Sequence, residues 1–238
     1  MADSTELYLP KFLSFTKTYH HKPYPFISLD RPGLSAAGKN VVVTGGGTGI
    51  GRAIAIAFAE AGASSVAILG RRKELLESSA AAITAAGKGK TKVLYEVADL
   101  TNSEDVNNAF QSIVSKTGKI SILVSNAGVL PTPGVIATTD FDLVRQGFAV
   151  NVIAAFHVLR AFLPLASPDA VILNISSNAA TIDPVPGLSA YAVSKAANLK
   201  MMDYFGAENP GIHVVNIQPG VVATDMSRGL VEGQDERE

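Results

Sequence analysis

The chain predicts a doubly wound α/β fold, a parallel sheet covered by helices on both faces, on three observations. Short apolar runs alternate with longer runs of helical period from Lys39 onward. A glycine cluster, Thr44-Gly45-Gly46-Gly47-Thr48-Gly49-Ile50-Gly51, joins the first apolar run to the first helical one. The 238 residues suffice for one buried core of this kind. Strands that are apolar throughout belong to sheets buried on both sides. Right-handed crossovers then bring the C-terminal ends of all strands, and the loops after them, to one edge.

In chain order, Val41 to Thr44 reads as the first strand, followed by a helix from about Gly49 to Ala61 whose Ala53, Ile54, Ala57, Phe58 and Ala61 share a face. Val66 to Leu69 and Lys92 to Val97 are the next strands, each with a helix behind it: Lys73 to Ala86, then Ser103 to Thr117 with Ser103 as its N-cap. Ile120 to Ser125 precedes a long helix from about Asp140 to Leu165. Ala170 to Ser176, a helix from Ser189 to about Gly206, and Ile212 to Ile217 complete a single domain over 39–231. Residues 1–38 differ, with six of the sixteen aromatic residues interleaved with prolines; they read as an irregular arm packing its rings on the domain or a neighbouring subunit. Residues 232–238 form a polar tail.

Composition excludes several classes. Twenty Lys and Arg nearly cancel 21 Asp and Glu, leaving no electrostatic footprint for nucleic acid or an anionic membrane surface. The absence of cysteine excludes disulfides, thiolate catalysis and zinc–thiolate sites. His20, His21, His157 and His213 are too scattered for a metal site, so none is expected. No basic segment precedes a long apolar run, and no window of about 20 uninterrupted apolar residues occurs, so a soluble, cytoplasmic protein without membrane partners is the expectation.

The glycine turn suits anion binding. The first turn of a helix leaves N–H groups unpaired, the macrodipole adds positive charge, and missing Cβ atoms let a pyrophosphate reach the backbone. Asp99, ending the third strand, either accepts a hydrogen bond from an adenine amino group or caps the next helix. Asn126-Ala127-Gly128, ending the fourth, either leaves room for a ribose or is a plain turn. Tyr191 and Lys195, four apart on a helix, share one face, and a nearby ammonium lowers a phenol's pKa toward the range useful for proton transfer.

The set Thr44-Gly45-x-x-x-Gly49-x-Gly51, Asp99, Asn126-Ala127-Gly128, Asn151, Ser177, Tyr191-x-x-x-Lys195 and Pro219-Gly220-x-x-x-Thr224 resembles the motifs of the short-chain dehydrogenase/reductase family, in the family's order, over about Lys39 to Thr224. The resemblance implies a Rossmann-like domain that binds its nucleotide through Gly45, Gly49, Ile50, Gly51, Asp99 and Asn126. By it, Tyr191 is the acid/base, Ser177 orients the substrate carbonyl, and Lys195 binds the nicotinamide ribose and lowers the Tyr pKa. Asn151 holds a relay water, while the Pro219 to Thr224 loop, with Val222 and Thr224, positions the nicotinamide. Ser125 replaces a familiar Asn, and the chain stops at Glu238, short of the family's usual covering helices and seventh strand. That end leaves two expectations: a shortened form closed by another segment such as the arm, or an impaired one.

The function expected is interconversion of a ketone or aldehyde and an alcohol with NADP (NADPH); the alternative is a cofactor-binding, non-redox relative. The segment Leu69-Gly70-Arg71-Arg72 has no carboxylate where an NAD site needs one, and Arg71 can meet a 2′-phosphate. Val129, Leu130, Pro131, Ile182, Pro184, Val185 and Pro186 suggest an apolar wall and a hydrophobic small-molecule substrate. Phe148, Val152, Phe156, Leu159, Leu199, Met202 and Phe205 make the two long helices apolar on more than one face, as a homodimer or higher homo-oligomer requires.

Overall fold

The computed structural model describes residues 24–29 and 31–227 together with Thr18 and His20. Strands β1 (Asn40–Thr44), β2 (Ser65–Gly70), β3 (Lys92–Val97), β4 (Ile120–Ser125), β5 (Ala166–Ile175) and β6 (His213–Ile217) alternate with helices α1 (Gly49–Glu60), α2 (Lys73–Ala86), α3 (Ser103–Thr117), α4 (Phe141–Phe148), α5 (Ala154–Phe162) and α6 (Ser189–Glu208). All pairings are parallel, in the order β3-β2-β1-β4-β5-β6. The expected doubly wound architecture is therefore the observed one. Order reverses between β1 and β4, which places a crevice outside their carboxyl ends.

Alternation along each strand feeds two cores. Val42, Ala67, Leu69, Leu123 and Ile172 face α3, α5 and α6 and surround Phe110, Phe162 and Met202. Val41, Val43, Val66, Ile68 and Val124 face α1 and α2 on the other side. The buried stripe of α3 is Val106, Ala109, Phe110 and Ile113. In α1 the expected face is corrected: Gly51, Ala55 and Ala59 are the buried stripe, Ala53 is exposed, and Ile54, Ala57, Phe58 and Ala61 are half-buried.

Several expectations are corrected. Asn102, not Ser103, caps α3, its Oδ1 accepting from the N–H groups of Glu104 and Asp105. The long helix capped by Asp140 is one continuous run only by direction: α4 widens into a π-helical turn at Ala149–Ile153 before α5 and a closing 3-10 turn at Leu163–Leu165. By length and composition the run Phe141–Leu165 could cross a membrane, at a mean hydropathy of 1.7, yet here it packs against α3, α6 and β4. Leu159 and Met202 belong to the subunit's own core rather than to a contact between copies.

In the described part of the arm the rings stack on one another. Tyr24 stacks between His20 and Phe26, Arg31 sits 4.4 Å over the Phe26 ring, and Phe26 is 67% exposed. Where the arm joins the domain, the Ala36 N–H donates to Ala61 O at the C-terminal end of α1, the end remote from the glycine turn. Tyr8, Phe12, Phe15 and Tyr19 of the arm, and the polar tail 232–238, lie outside the described residues.

Candidate active site

The crevice is built from backbone that crosses too closely for side chains. Gly45 and Gly49 have φ of 66° and 52°, in the left-handed region that glycine tolerates without strain. A Cβ on Gly51 would lie 2.4 Å from Gly45 O and 2.5 Å from Asn126 Nδ2. Thr44 locks the two loops together: its hydroxyl accepts from the N–H groups of Asn126 and Ala127, at 2.9 and 3.1 Å. In return, Asn126 Nδ2 donates to Thr44 O and Gly45 O. Asn126 is thus a loop tie, more than the plain turn its spacing also allowed.

The first turn of α1 has neither a side-chain cap nor an acidic residue, so its N–H groups, Ile50 and Gly51 among them, keep their positive field. This unneutralised helix end beside a glycine cradle fits the pyrophosphate of a dinucleotide. One cleft of about 440 Å³ runs from here past Gly70, Arg71 and Asp99, along Asn126, Ala127 and Gly128, to Ser177, Tyr191 and Lys195, and is flanked by Val222 and Thr224. Ser176 lines it too, and its buried hydroxyl has no partner in the described protein. Arg71 is exposed at the far end and forms no salt bridge among the described residues.

Asp99 is not the helix cap. Its Oδ1 accepts from the hydroxyl and N–H of Thr101, at 2.7 and 2.9 Å, and these bonds, with smaller help from the Arg71 charge, hold the carboxyl below its usual range. The Pro219 to Thr224 loop is gathered by Ser227, whose hydroxyl donates toward Val222 O and accepts from the Thr224 N–H. Thr224 Cγ2 would stand 3.2 Å from a Cβ on Gly49, so the last loop closes on the first.

At the opposite end the chemistry converges on α6. Lys195 Nζ donates to Ile175 O, 2.9 Å away at the end of β5. Burial drops its pKa to about 8. Tyr191 goes the other way: burial raises the phenol above its ordinary value, and a hydrogen bond with Ser177 draws it partly back. The expectation that Lys195 lowers the Tyr191 pKa is corrected accordingly, because the ammonium is turned to the Ile175 carbonyl and burial governs both groups.

Asn151 sits in the π-helical turn, 2% exposed. Its side chain clamps Val129, accepting from the N–H and donating to the carbonyl, and also donates to Ser194 Oγ, which in turn donates to Tyr191 O. Its own carbonyl accepts from Asn198 Nδ2. Of the expected apolar wall, Val129 and Leu130 line the cleft, joined by Leu188, Val221 and Met226; Pro131, Ile182, Pro184, Val185 and Pro186 do not. Sequence reasoning passed over Thr101, Ser194 and Asn198. The period of α6 held the signal for Asn198, since Tyr191, Lys195 and Asn198 follow at i, i+4 and i+7.

Known proteins place this architecture. The family model for short chain dehydrogenases matches residues 39–235. The chain is 38% identical over 220 residues to the short chain dehydrogenase pigC of Monascus ruber, covering 90% of this chain and 72% of pigC. It is 37% identical to the short chain dehydrogenase tazN of Aspergillus terreus, of which it spans 47%. Among solved structures, a short-chain type dehydrogenase/reductase from Mycobacterium ulcerans superposes with a TM-score of 0.80 at 29% identity, over 84% of this chain and 74% of that one. With the glycine cradle, the strand order and the Ser177, Tyr191 and Lys195 constellation all in one crevice, the chain belongs to the short-chain dehydrogenase/reductase family of oxidoreductases.

Proposed function

We propose that this protein interconverts a hydrophobic ketone or aldehyde and the corresponding alcohol with NADPH as its preferred cofactor. One observation carries the reading: Ser177, Tyr191 and Lys195 line the same cleft as the uncapped end of α1 and Arg71. When bound, the nicotinamide nucleotide supplies the hydride in reduction and accepts it in oxidation. Ser177 donates a hydrogen bond to the substrate carbonyl, and Tyr191 gives its proton to the oxygen as charge develops there. The raised Tyr191 pKa keeps the phenol protonated at neutral pH, the form that reduction needs. Lys195, whose ammonium lines the same cleft, holds ribose hydroxyls. The Asn151 side chain fixes the Val129 backbone at the edge of the substrate space.

Preference for NADPH rests on β2, which ends in Gly70 with Arg71 next and no carboxylate. A planar guanidinium meets a 2′-phosphate with charge-assisted bonds. Arg71→Ala is expected to weaken NADPH binding by about ten- to a hundredfold, from a contact of roughly 1.5–3 kcal/mol, while NADH binding stays nearly unchanged. Fluorescence titration of both cofactors checks this, and tighter NADH than NADPH binding by the wild type would sink the assignment.

The two pKa displacements have opposite consequences. Lys195 sheds its proton near pH 8, so reduction of an aryl ketone falls as pH rises through about 8. Stability of the ligand-free protein moves the other way: above pH 8 the unfolded chain holds a lysine proton that the fold has lost, so unfolding becomes harder with rising pH. That gain stops near 10, where the unfolded Tyr191 loses the proton that the folded one keeps. Initial rates and denaturant midpoints across pH 6–10 test both, and a flat rate profile through pH 8 contradicts the role of the ammonium. Comparable turnover of an open-chain sugar would contradict the apolar wall.

A homo-oligomer is proposed on the outward faces of α5 and α6 and the turn before α5. Phe156 and Ile153 are 51% and 49% exposed, and Val193 and Tyr204 are exposed on the neighbouring α6. Sedimentation at micromolar concentration should show a dimer or larger; a monomer alone rejects it.

A further inference from the structure

Behind the cleft runs a line of amides, buried except at its exposed end, of which the proposed chemistry uses only Asn151. It starts at the sheet edge, where Asn216 of β6 stands in register with Asn174 of β5. Asn174 Nδ2 donates to Asn216 Oδ1 and to Asn198 Oδ1, both at 2.9 Å. Asn198 Nδ2 donates to Asn151 O, also at 2.9 Å. Asn151 then holds Val129 and Ser194, and Ser194 holds Tyr191 O. Asn174 is 1% and Asn198 4% exposed, so neither amide exchanges these partners for solvent.

Direction along the line is fixed by chemistry. A backbone carbonyl only accepts, so the side of Asn198 facing Asn151 must be its NH₂ group and the other side its oxygen. Its oxygen then requires a donor, which Asn174 supplies, and the second Asn174 hydrogen goes to Asn216. The carbonyl that Asn198 takes lies within the π-helical turn, where the regular helical ladder is interrupted. A buried carbonyl stripped of this donor would bear its desolvation cost or draw in water, and the turn would move to find a partner.

We propose that Asn198 is a positioning residue: by pinning the π-helical turn at Asn151 to β5, it fixes the Val129 backbone and the turn of α6 that carries Tyr191. Lys195 is anchored one turn earlier on the same helix to Ile175 O, the residue after Asn174. Asn198 and Lys195 therefore grip adjacent positions of one strand end, and neither can shift along β5 without the other. The effect on turnover rests on the reading of the cleft as a carbonyl reductase site; the effect on the turn does not.

Two substitutions separate packing from hydrogen bonding. Asn198→Leu keeps the volume and removes both bonds; Asn198→Ser leaves a hydroxyl and room for water, in case Leu fails to fold. Amide hydrogen exchange read by mass spectrometry should accelerate by tenfold or so or more in 149–153 and in the segment around Val129, while 41–44 and 66–69 keep wild-type protection. With NADPH and an aryl ketone, well below the melting temperature, kcat should fall between about tenfold and a hundredfold, the cost of a small misplacement of reacting groups. NADPH affinity should stay within about threefold, because no cofactor-facing group is changed. Wild-type exchange in 149–153 overturns the proposal, as does accelerated exchange with an unchanged kcat. If wild-type protein binds NADPH yet reduces no carbonyl, the carbonyl reductase reading fails, and the exchange rates still decide whether Asn198 pins the turn.

Discussion

The close crossing of two loops at the point where strand order reverses is the constraint on which the rest of the structure depends. Gly51 sits against Gly45 O and Asn126 Nδ2 with no space for a methyl group, and Thr44 closes the contact with a hydroxyl that accepts from two backbone N–H groups. This crossing seats the open end of α1 at the end of β1 and starts the loop after β4 beside it. Everything else in the cleft is referred to these two backbones. The sheet brings the ends of β2, β3, β5 and β6 to the same edge by parallel register, and the Thr224 loop then closes onto Gly49.

Burial sets the electrostatic character at the other end of the cleft. An ammonium and a phenol removed from water both favour their neutral forms, and here burial moves them apart, Lys195 down to about 8 and Tyr191 up from its ordinary value. Polar partners are supplied sparingly: a strand-end carbonyl for Lys195, a serine hydroxyl for Tyr191. The amides behind them are the opposite case, hydrogen-bonded to one another and to a backbone carbonyl, and so they hold shape without holding charge. A rigid neutral scaffold behind an ammonium that titrates near pH 8 and a phenol that keeps its proton suits a site that must move one proton per turnover.

Much of this was legible in the sequence because it follows from periodicity and spacing. The apolar runs of the central strands β1, β2 and β4, buried on both sides, the glycine turn, and Tyr191 and Lys195 one helical turn apart survive in the structure as read, whereas the edge strands β3 and β6 are only partly buried. What was not legible depends on which neighbour wins. Asn102 and Ser103 are both good caps, and only the backbone path chooses Asn102. Leu159 and Met202 look like surface apolar residues of a helix until the core on the α3, α5 and α6 side of the sheet absorbs them, while Phe156 stays outside. The direction of the Tyr191 shift is set by the burial of the phenol, which helical spacing does not address. Asn198 was overlooked because an amide carries no chemistry of its own, although its place on the Tyr191 face was already implied by the helical period.

The most direct test of the cleft as a hydride-transfer site follows an isotope. NADPH carrying deuterium at the transferable C4 position, incubated with an aryl ketone and the wild-type protein, should yield alcohol with deuterium on the carbinol carbon, and Tyr191→Phe should bind the cofactor equally well yet yield almost none. Deuterium that never reaches any of a panel of ketones and aldehydes, from a wild type that binds NADPH, would contradict the account; so would equal transfer by the Phe variant.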